Sequence, residues 1–292
     1  MRTGRKGKVT VIIVNYNGKK YLKKCIESIQ QQTYRNHSVL IVDNGSDDDS
    51  VNYLSRQYPQ IELIVCEENK GFAAGNNLGI MHAIRQGTEY VLLLNVDTVP
   101  EANMIERLID KADESTVTVP RIYSDKRMIK IWYAGGELDY VNGKSYHCCE
   151  AGANGVKIVG FACGCCVLIH KDIILRNGMF DEKYFLYFED TDLSFRWMQS
   201  GVKIKYVPEA KMWHKIGASG GKNGMWIKSY YMARNRLYFV KKYQSSIQKN
   251  VHQVALEILI NYVLKEHDKV KRKYVWCGIL DFYKGKMSKF NH

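Results

Sequence analysis

Four short apolar runs in the first hundred residues constrain this chain more than any other feature. They are Val9 to Val14, Ser38 to Val42, Ile61 to Val65 and Tyr90 to Leu94. Apart from Thr10, Ser38 and Glu62, each run is apolar rather than alternating, and each is followed by a segment with apolar residues at helical spacing. Strands buried on both faces read this way, and strands separated by helices pair in parallel. The predicted helices cover 21–32, 51–58, 72–84 and 101–112. The pattern therefore predicts an α/β fold with a mostly parallel central sheet flanked by helices.

Each strand is followed by a polar or glycine turn: Asn15-Tyr16-Asn17-Gly18, Asp43-Asn44-Gly45-Ser46, Asn69-Lys70-Gly71 and Asn95-Val96-Asp97. Asn, Asp and Gly dominate turns of every kind. Four such turns at the carboxyl ends of successive parallel strands, however, are expected to converge on one rim. Open α/β sheets bind their ligands there.

Past residue 119 the alternation weakens. Short antiparallel strands are expected between 131 and 146, turning at Gly135-Gly136 and Asn142-Gly143. A strand is expected over 156–169, a helix over 171–176, and a strand over 202–207 stopped by Pro208. An aromatic-rich helix over 226–243 and two more over 247–265 and 270–283 close the chain. In between, Glu189, Asp190 and Asp192 follow the aromatics Tyr184, Phe185, Tyr187 and Phe188. Desolvating a carboxylate is costly unless a cation, a proton or a donor compensates. The acids read as the first turn of a helix, where negative charge suits the helix dipole. Two roles stay open for them, capping by Asp190 and catalysis.

Composition narrows the function classes. The 292 residues are 46% hydrophobic and 25% charged, enough for one large domain or two small ones. No apolar run approaches the ~20 residues of a membrane span, and no secretory signal precedes the first strand, so a cytosolic, soluble or peripheral protein is expected. The net charge of +13 favours polyanionic partners, but much of it lies in Arg2 to Lys8 and Lys265 to Lys289. A nucleic-acid binder would carry its charge across one continuous face, so no nucleic-acid partner is expected. Cys163, Cys165 and Cys166 sit in a run of small and apolar residues and are expected to pack as core rather than hold a metal. No P-loop and no G-x-G-x-x-G after the first strand is present.

The motifs taken together resemble the inverting glycosyltransferases of family 2, which have the GT-A fold, and their rhamnosyltransferase-like branch. The residues carrying the resemblance are VIIVNYNG at 11–18, IVDNGSDD at 41–48, NKGFAAGNNLGI at 69–80 and YVLLLNVDTVP at 90–100. They continue with GFACGCCVLIHKDIILRNGMFDEKYFLYFEDTDLSFR at 160–196, WHKIGAS at 213–219, YYMARN at 230–235 and GILDFYKGK at 278–286. The order holds over roughly residues 8–285.

The resemblance implies a catalytic domain over 1–243, with a nucleotide-sugar half at 8–112 and an acceptor half at 113–243, and a basic helical extension at 244–292. It implies a hexose or deoxyhexose donor carried on a uridine or thymidine diphosphate, and a glycan or lipid-linked saccharide acceptor. Donor contacts are implied for Val14, Asn15, Tyr16, Asp43, Asn69, Lys70, Gly71, Asn95 and Asp97. Arg234 is expected either at the diphosphate or in a surface salt bridge. A divalent cation, Mg or Mn, is implied at Asp97, with His214 as a second ligand or packed on Trp213. The usual D-x-D triplet reads Asn95-Val96-Asp97, so one carboxylate is missing. The implied base is Asp190, with Glu189 orienting the acceptor or tuning that base; Asp192 is the second candidate base and a helix cap. The run 215–221 is expected to order over bound donor. The basic, aromatic C-terminal helices fit an anionic membrane surface, the catalytic domain or a second subunit. The rival readings are a nucleotidyltransferase and a basic nucleic-acid-binding protein.

Overall fold

A computed structural model describes residues 7–149, 155–215 and 221–290. Its first half follows the expected alternation: β1 (Val9–Asn15), α1 (Lys19–Gln30), β2 (His37–Asp43), α2 (Ser50–Gln57), β3 (Glu62–Val65), α3 (Gly71–Arg85) and β4 (Tyr90–Leu94). β1 pairs in parallel with β2 and with β4, and β2 with β3. β1, β2 and β4 are apolar because both faces are covered, and Val11, Ile12, Ile13, Ile41, Leu92 and Leu93 have no exposed surface; β3, at the sheet edge, is only partly covered, and its Val65 is exposed. α3 presses closely on β1, and a Cβ at Gly79 would lie 2.6 Å from Ile12 Cγ2. Only glycine allows that approach.

The second half departs from expectation in four places. The predicted helix over 101–112 is shorter, the six-residue α4 (Met104–Ile109), and a short strand, β5 (Thr98–Pro100), precedes it. β6 (Thr116–Tyr123) follows. β7 (Ile131–Tyr133) pairs with β6, so Gly135-Gly136 is not a hairpin turn. The hairpin forms instead between β8 (Gly136–Asp139) and β9 (Lys144–His147), around Asn142-Gly143.

The predicted strand over 156–169 is also two strands. β10 (Lys157–Val159) lies at the sheet edge on the strand after α6, and β11 (Cys166–His170) lies between β4 and β6. The intervening turn carries Cys163 and Cys165, which are buried with Cys166 in the core, as expected. α5 (Lys171–Asn177) and α6 (Glu189–Gln199) come next. Finally, Pro208 does not stop the following strand, β12 (Lys203–His214). It sits in a bulge where the parallel ladder with β6 shifts register between Val207 and Lys211. A residue without an N–H is tolerated at such a break. The whole sheet runs β10-β12-β6-β11-β4-β1-β2-β3, with β5 on β12 and β7 on β6.

α7 (Gly221–Lys242), α8 (Val251–Ile258), a π-helical turn (Leu259–Leu264) and α9 (Lys269–Tyr283) complete the chain. They enclose a second apolar core that includes Tyr184, Phe188 and Phe195 from the segment around α6. Val251, Val254 and Ile258 are buried there, so this stripe docks on the chain's own helices, whereas Tyr262 is exposed. Among the described residues, no helix is long and apolar enough to cross a membrane.

Candidate active site

The carboxyl ends of β1 to β4 carry the four polar turns, and the structure ties three of them together. Asn15 Nδ2 donates to Asp43 Oδ2 at 2.8 Å, and the Ser46 amide donates to Asp43 Oδ1 at 2.9 Å. Asn44 Nδ2 donates to Asn69 Oδ1 (3.2 Å) and to the Gly71 carbonyl (3.0 Å), while its Oδ1 accepts from the Lys70 amide (3.1 Å). Asp43 and Asn15 have no exposed surface, so on this rim each side chain shapes a turn. Tyr16 is 46% exposed beside them, and Val14 is half-buried under Gly75. Asn44 and Ser46 are the rim residues that sequence reasoning missed. Their only signal was the turn composition Asn44-Gly45-Ser46.

The fourth turn lies at the end of β4. Asp97 Oδ1 is 3.1 Å from His214 Nε2, with their side chains 9% and 11% exposed. The two converge because β5 pairs antiparallel with the end of β12, placing Thr98 opposite His214. The Trp132 ring packs edge-on against His214 at 4.9 Å, and His147 against Trp132 at 4.5 Å. His214 Nδ1 is buried without a partner. So His214 packs on Trp132 and faces Asp97, rather than resting on Trp213. Among the described residues, no group of three His, Cys, Asp or Glu side chains surrounds a metal position. An oxygen and a nitrogen donor from Asp97 and His214 fit a divalent cation whose remaining ligands are diphosphate oxygens and water.

Facing this rim is the acidic stretch. Glu189 and Asp190 open α6, but neither Asp190 nor Asp192 caps it. The N-cap is Phe188, in the left-handed region at φ 74°, without a side-chain cap. Asp190 Oδ2 accepts from the Gly164 amide at 3.1 Å and Oδ1 from the Thr191 amide at 2.8 Å. One residue further along the same turn, the Cys165 carbonyl accepts from the Asn95 amide at 3.0 Å. The turn at 163–165 therefore binds both Asp190 and the Asn95-Val96-Asp97 corner. Asp190 keeps some open surface, yet its carboxyl lies deep enough among protein atoms that desolvation raises its pKa. Glu189 is 5% exposed, and its Oε2 has no partner. Burial first, and the charge of Asp190 second, push its pKa well above the usual carboxylate range.

Two sequence candidates are placed elsewhere. Asp192 has no exposed surface, and four donors occupy its oxygens: Tyr184 and Tyr243 hydroxyls, Lys242 and Arg196. With both oxygens occupied it has no access to an incoming hydroxyl, so it holds α6 against α7 instead of acting as a second base. Arg234 is likewise fully buried, lying over Tyr231 at 4.9 Å and donating to the Tyr184 carbonyl at 3.0 Å and the Ser288 carbonyl at 2.7 Å. Neither the diphosphate role nor the surface salt bridge expected for it fits that position. Of the expected closing run 215–221, residues 216–220 lie outside the described residues; Lys215 lies over the Tyr21 ring at 5.2 Å, and Gly221 opens α7.

The bend before α6 is strained. Phe185, Tyr187 and Phe188 all have positive φ, at 59°, 67° and 74°. The Leu186 amide donates to the Tyr184 carbonyl at 2.6 Å, closing a three-residue turn at Phe185. This positive-φ γ-turn is rare. Such positions cost on the order of 1–3 kcal/mol each and persist where the surroundings over-determine them.

The model of glycosyl transferase family 2 matches residues 10–176, more than half of the chain. The chain belongs to that family. It is therefore a glycosyltransferase, and the nucleotidyltransferase reading falls away. The transferase is 26% identical over 239 residues to an N-acetylglucosaminyl-diphospho-decaprenol L-rhamnosyltransferase of Mycobacterium tuberculosis, covering 73% of this chain and 78% of the relative. It is 24% identical over 295 residues to the dTDP-rhamnosyl transferase RfbF of Shigella flexneri, covering 93% of each. Among solved structures it is similar to GalNAc-T7 with UDP, GalNAc and Mn2+, at a TM-score of 0.62 and 16% identity, covering 91% of this chain and 59% of that one. It is also similar to a mannosyltransferase of Pyrobaculum calidifontis with GDP-Man and Mn2+, at a TM-score of 0.60 and 13% identity, covering 96% and 88%. The transferase has the GT-A fold of these enzymes.

Proposed function

We propose that this transferase moves a deoxyhexose or hexose, with inversion, from a nucleoside-diphosphate donor to a hydroxyl of a glycan or lipid-linked saccharide. The donor half is 8–112 and the acceptor half 113–243. The observation that carries the reading is the shared turn at 163–165, which holds Asp190 through Gly164 and the Asp97 corner through Cys165. A base and a diphosphate site on one turn suit in-line displacement at a sugar carbon between them. The rhamnosyl names of two relatives support a deoxyhexose.

The base and ribose lie over Val14, Tyr16, Asn69, Lys70 and Gly71, with Asp43 and Asn15 shaping the pocket. Asn95 lines the diphosphate end. The acceptor hydroxyl gives its proton to Asp190 as its oxygen bonds to the anomeric carbon. The bond from that carbon to the diphosphate oxygen breaks on the opposite side, and the nucleoside diphosphate leaves. Glu189, buried beside the base, orients the acceptor or tunes that base. Asp97 and His214 would hold Mg or Mn, which stabilises negative charge on the diphosphate. Leu256, Ile260, Leu264 and Trp276 are exposed beside Lys265, Lys269 and Lys273, which suits an anionic membrane bearing a lipid-linked acceptor. The deciding experiment is a screen of nucleotide sugars read by released nucleoside diphosphate. A thymidine- or uridine-diphosphate deoxyhexose should turn over with manganese; no turnover of any nucleotide sugar would refute the proposal.

A further inference from the structure

The strained bend before α6 is held by one side chain that the reaction itself does not use. Asn235, in the middle of α7, is fully buried. Its Nδ2 lies 2.8 Å from the Tyr184 carbonyl, 2.9 Å from Leu186 and 2.7 Å from Tyr187. Its Oδ1 accepts from Arg234 Nε at 2.9 Å, which fixes the amide with its donors toward the bend. The guanidinium adds a bond to the Tyr184 carbonyl. The remaining carbonyls are also taken: Phe185 accepts from the Phe72 amide at 2.7 Å, and Phe188 from the Asp192 amide at 2.9 Å. Phe72 follows Gly71 at the start of α3, and a Cβ at Gly71 would lie 2.5 Å from the Phe185 carbonyl. The bend is thus pinned to α7 on one side and to the nucleotide rim on the other.

We propose that Asn235 is a positioning residue for catalysis: its amide holds the carbonyls of 184–187 in a backbone path that sets Glu189 and Asp190 toward the donor site. This rests on Asp190 being the base. A loosened bend keeps the rim, and so keeps donor binding, but lets the first turn of α6 drift. Drift of about 1 Å at a reacting group costs about a hundredfold in rate. It also admits water to Asp190, whose other titratable neighbours are Glu189, Cys163 and Tyr133. Hydration favours the charged carboxylate.

The test is Asn235→Ala and Asn235→Ser in the full chain, measured for kcat, donor KM, thermal midpoint and the pH profile of kcat. The expected result for Asn235→Ala is kcat down about a hundredfold, donor KM within about twofold, and the acid limb displaced to lower pH. Asn235→Ser, which keeps one donor, should fall between Asn235→Ala and the parent. A folded Asn235→Ala with kcat within threefold of the parent overturns the proposal. So does a fall in kcat that only tracks the thermal midpoint with the acid limb unmoved. If Asn235→Ala does not fold, Asn235→Ser is judged by the same criteria; if neither folds, the residue is structural and the proposal fails. Asp190→Asn run alongside separates the two claims. Full turnover there removes the base assignment, whereas an inactive Asp190→Asn with a normal Asn235→Ala removes only the positioning role.

Discussion

Two buried carboxylates, one on the rim of the sheet and one at the start of α6, differ in how their oxygens are met. Asp43, on the nucleotide rim, has no exposed surface and accepts from Asn15 on one oxygen and Ser46 on the other. Glu189, on the catalytic wall, is almost as buried, yet one of its oxygens meets no donor at all. The backbone around them differs in the same sense. The four rim turns have one positive-φ residue that is not glycine, Asn17, a residue type that tolerates it, whereas the bend before α6 places Phe185, Tyr187 and Phe188 there. On the rim, donors meet both oxygens of Asp43, although Asn15 Oδ1 is buried beside it without a partner. The bend before α6 is under backbone tension, and it leads into a carboxylate whose Oε2 is buried without a partner.

If that contrast is correct, damage to the two walls should separate cleanly. Asp190→Asn should lower turnover by at least about a thousandfold while donor affinity, measured by calorimetry, stays within twofold. Parallel loss of both would erase the distinction between the walls. Asp97→Ala should do the converse, weakening donor affinity about a hundredfold and removing its dependence on manganese, as chelation should in the parent. A donor affinity indifferent to manganese in both proteins would argue against a cation at this corner.

Two smaller effects sharpen the comparison. Asp43→Ala leaves the Asn15 amide and the Ser46 N–H without an acceptor in a buried place. It should therefore destabilise the fold by about 1–3 kcal/mol, read by chemical denaturation, besides weakening donor binding. Glu189→Gln should act in the opposite direction. The folded state raises the pKa of Glu189, so the stability tied to its proton is complete below the ordinary carboxylate range. It is lost as pH rises from that range through the raised folded value. The neutral glutamine keeps that stability, so its thermal midpoint should exceed the parent's at pH 8 and match it near pH 4. A parent whose stability does not fall between those pH values, relative to Glu189→Gln, would mean that Glu189 is not held protonated.

The sequence told most about the walls that are local. β1, β2 and β4 were legible because a strand covered on both faces must be largely apolar, and the turns after them had to fall at one edge; β3, partly exposed at the sheet edge, was legible from the alternation with helices. The acids were legible as the first turn of α6, but their cap was not, since nothing in the type Phe188 announces a left-handed N-cap. Asp192 looked as available as Asp190 in one dimension. Folding fills its oxygens with Arg196 and Tyr184, near in sequence, and with Lys242 and Tyr243, 50 and 51 residues downstream. Arg234 looked like a phosphate ligand for the same reason. The continuation of β12 through Pro208 was hidden because a bulge depends on the partner strand and not on the proline alone.

The order of residues by itself determined the sheet of the first half, the edge where its polar turns gather, the location of the acidic turn and the family resemblance. Those features follow from periodicities and turn chemistry that act over a few residues. What only the tertiary structure decided is which of several equivalent polar side chains faces the cleft, and what forces the aromatic bend into its unfavourable path. Both depend on contacts between segments some fifty residues apart, such as Asn235 with Tyr184. A side chain's hydrogen-bonding capacity is spent on whatever folding brings within about 3 Å of it, and residue type alone does not reveal that partner.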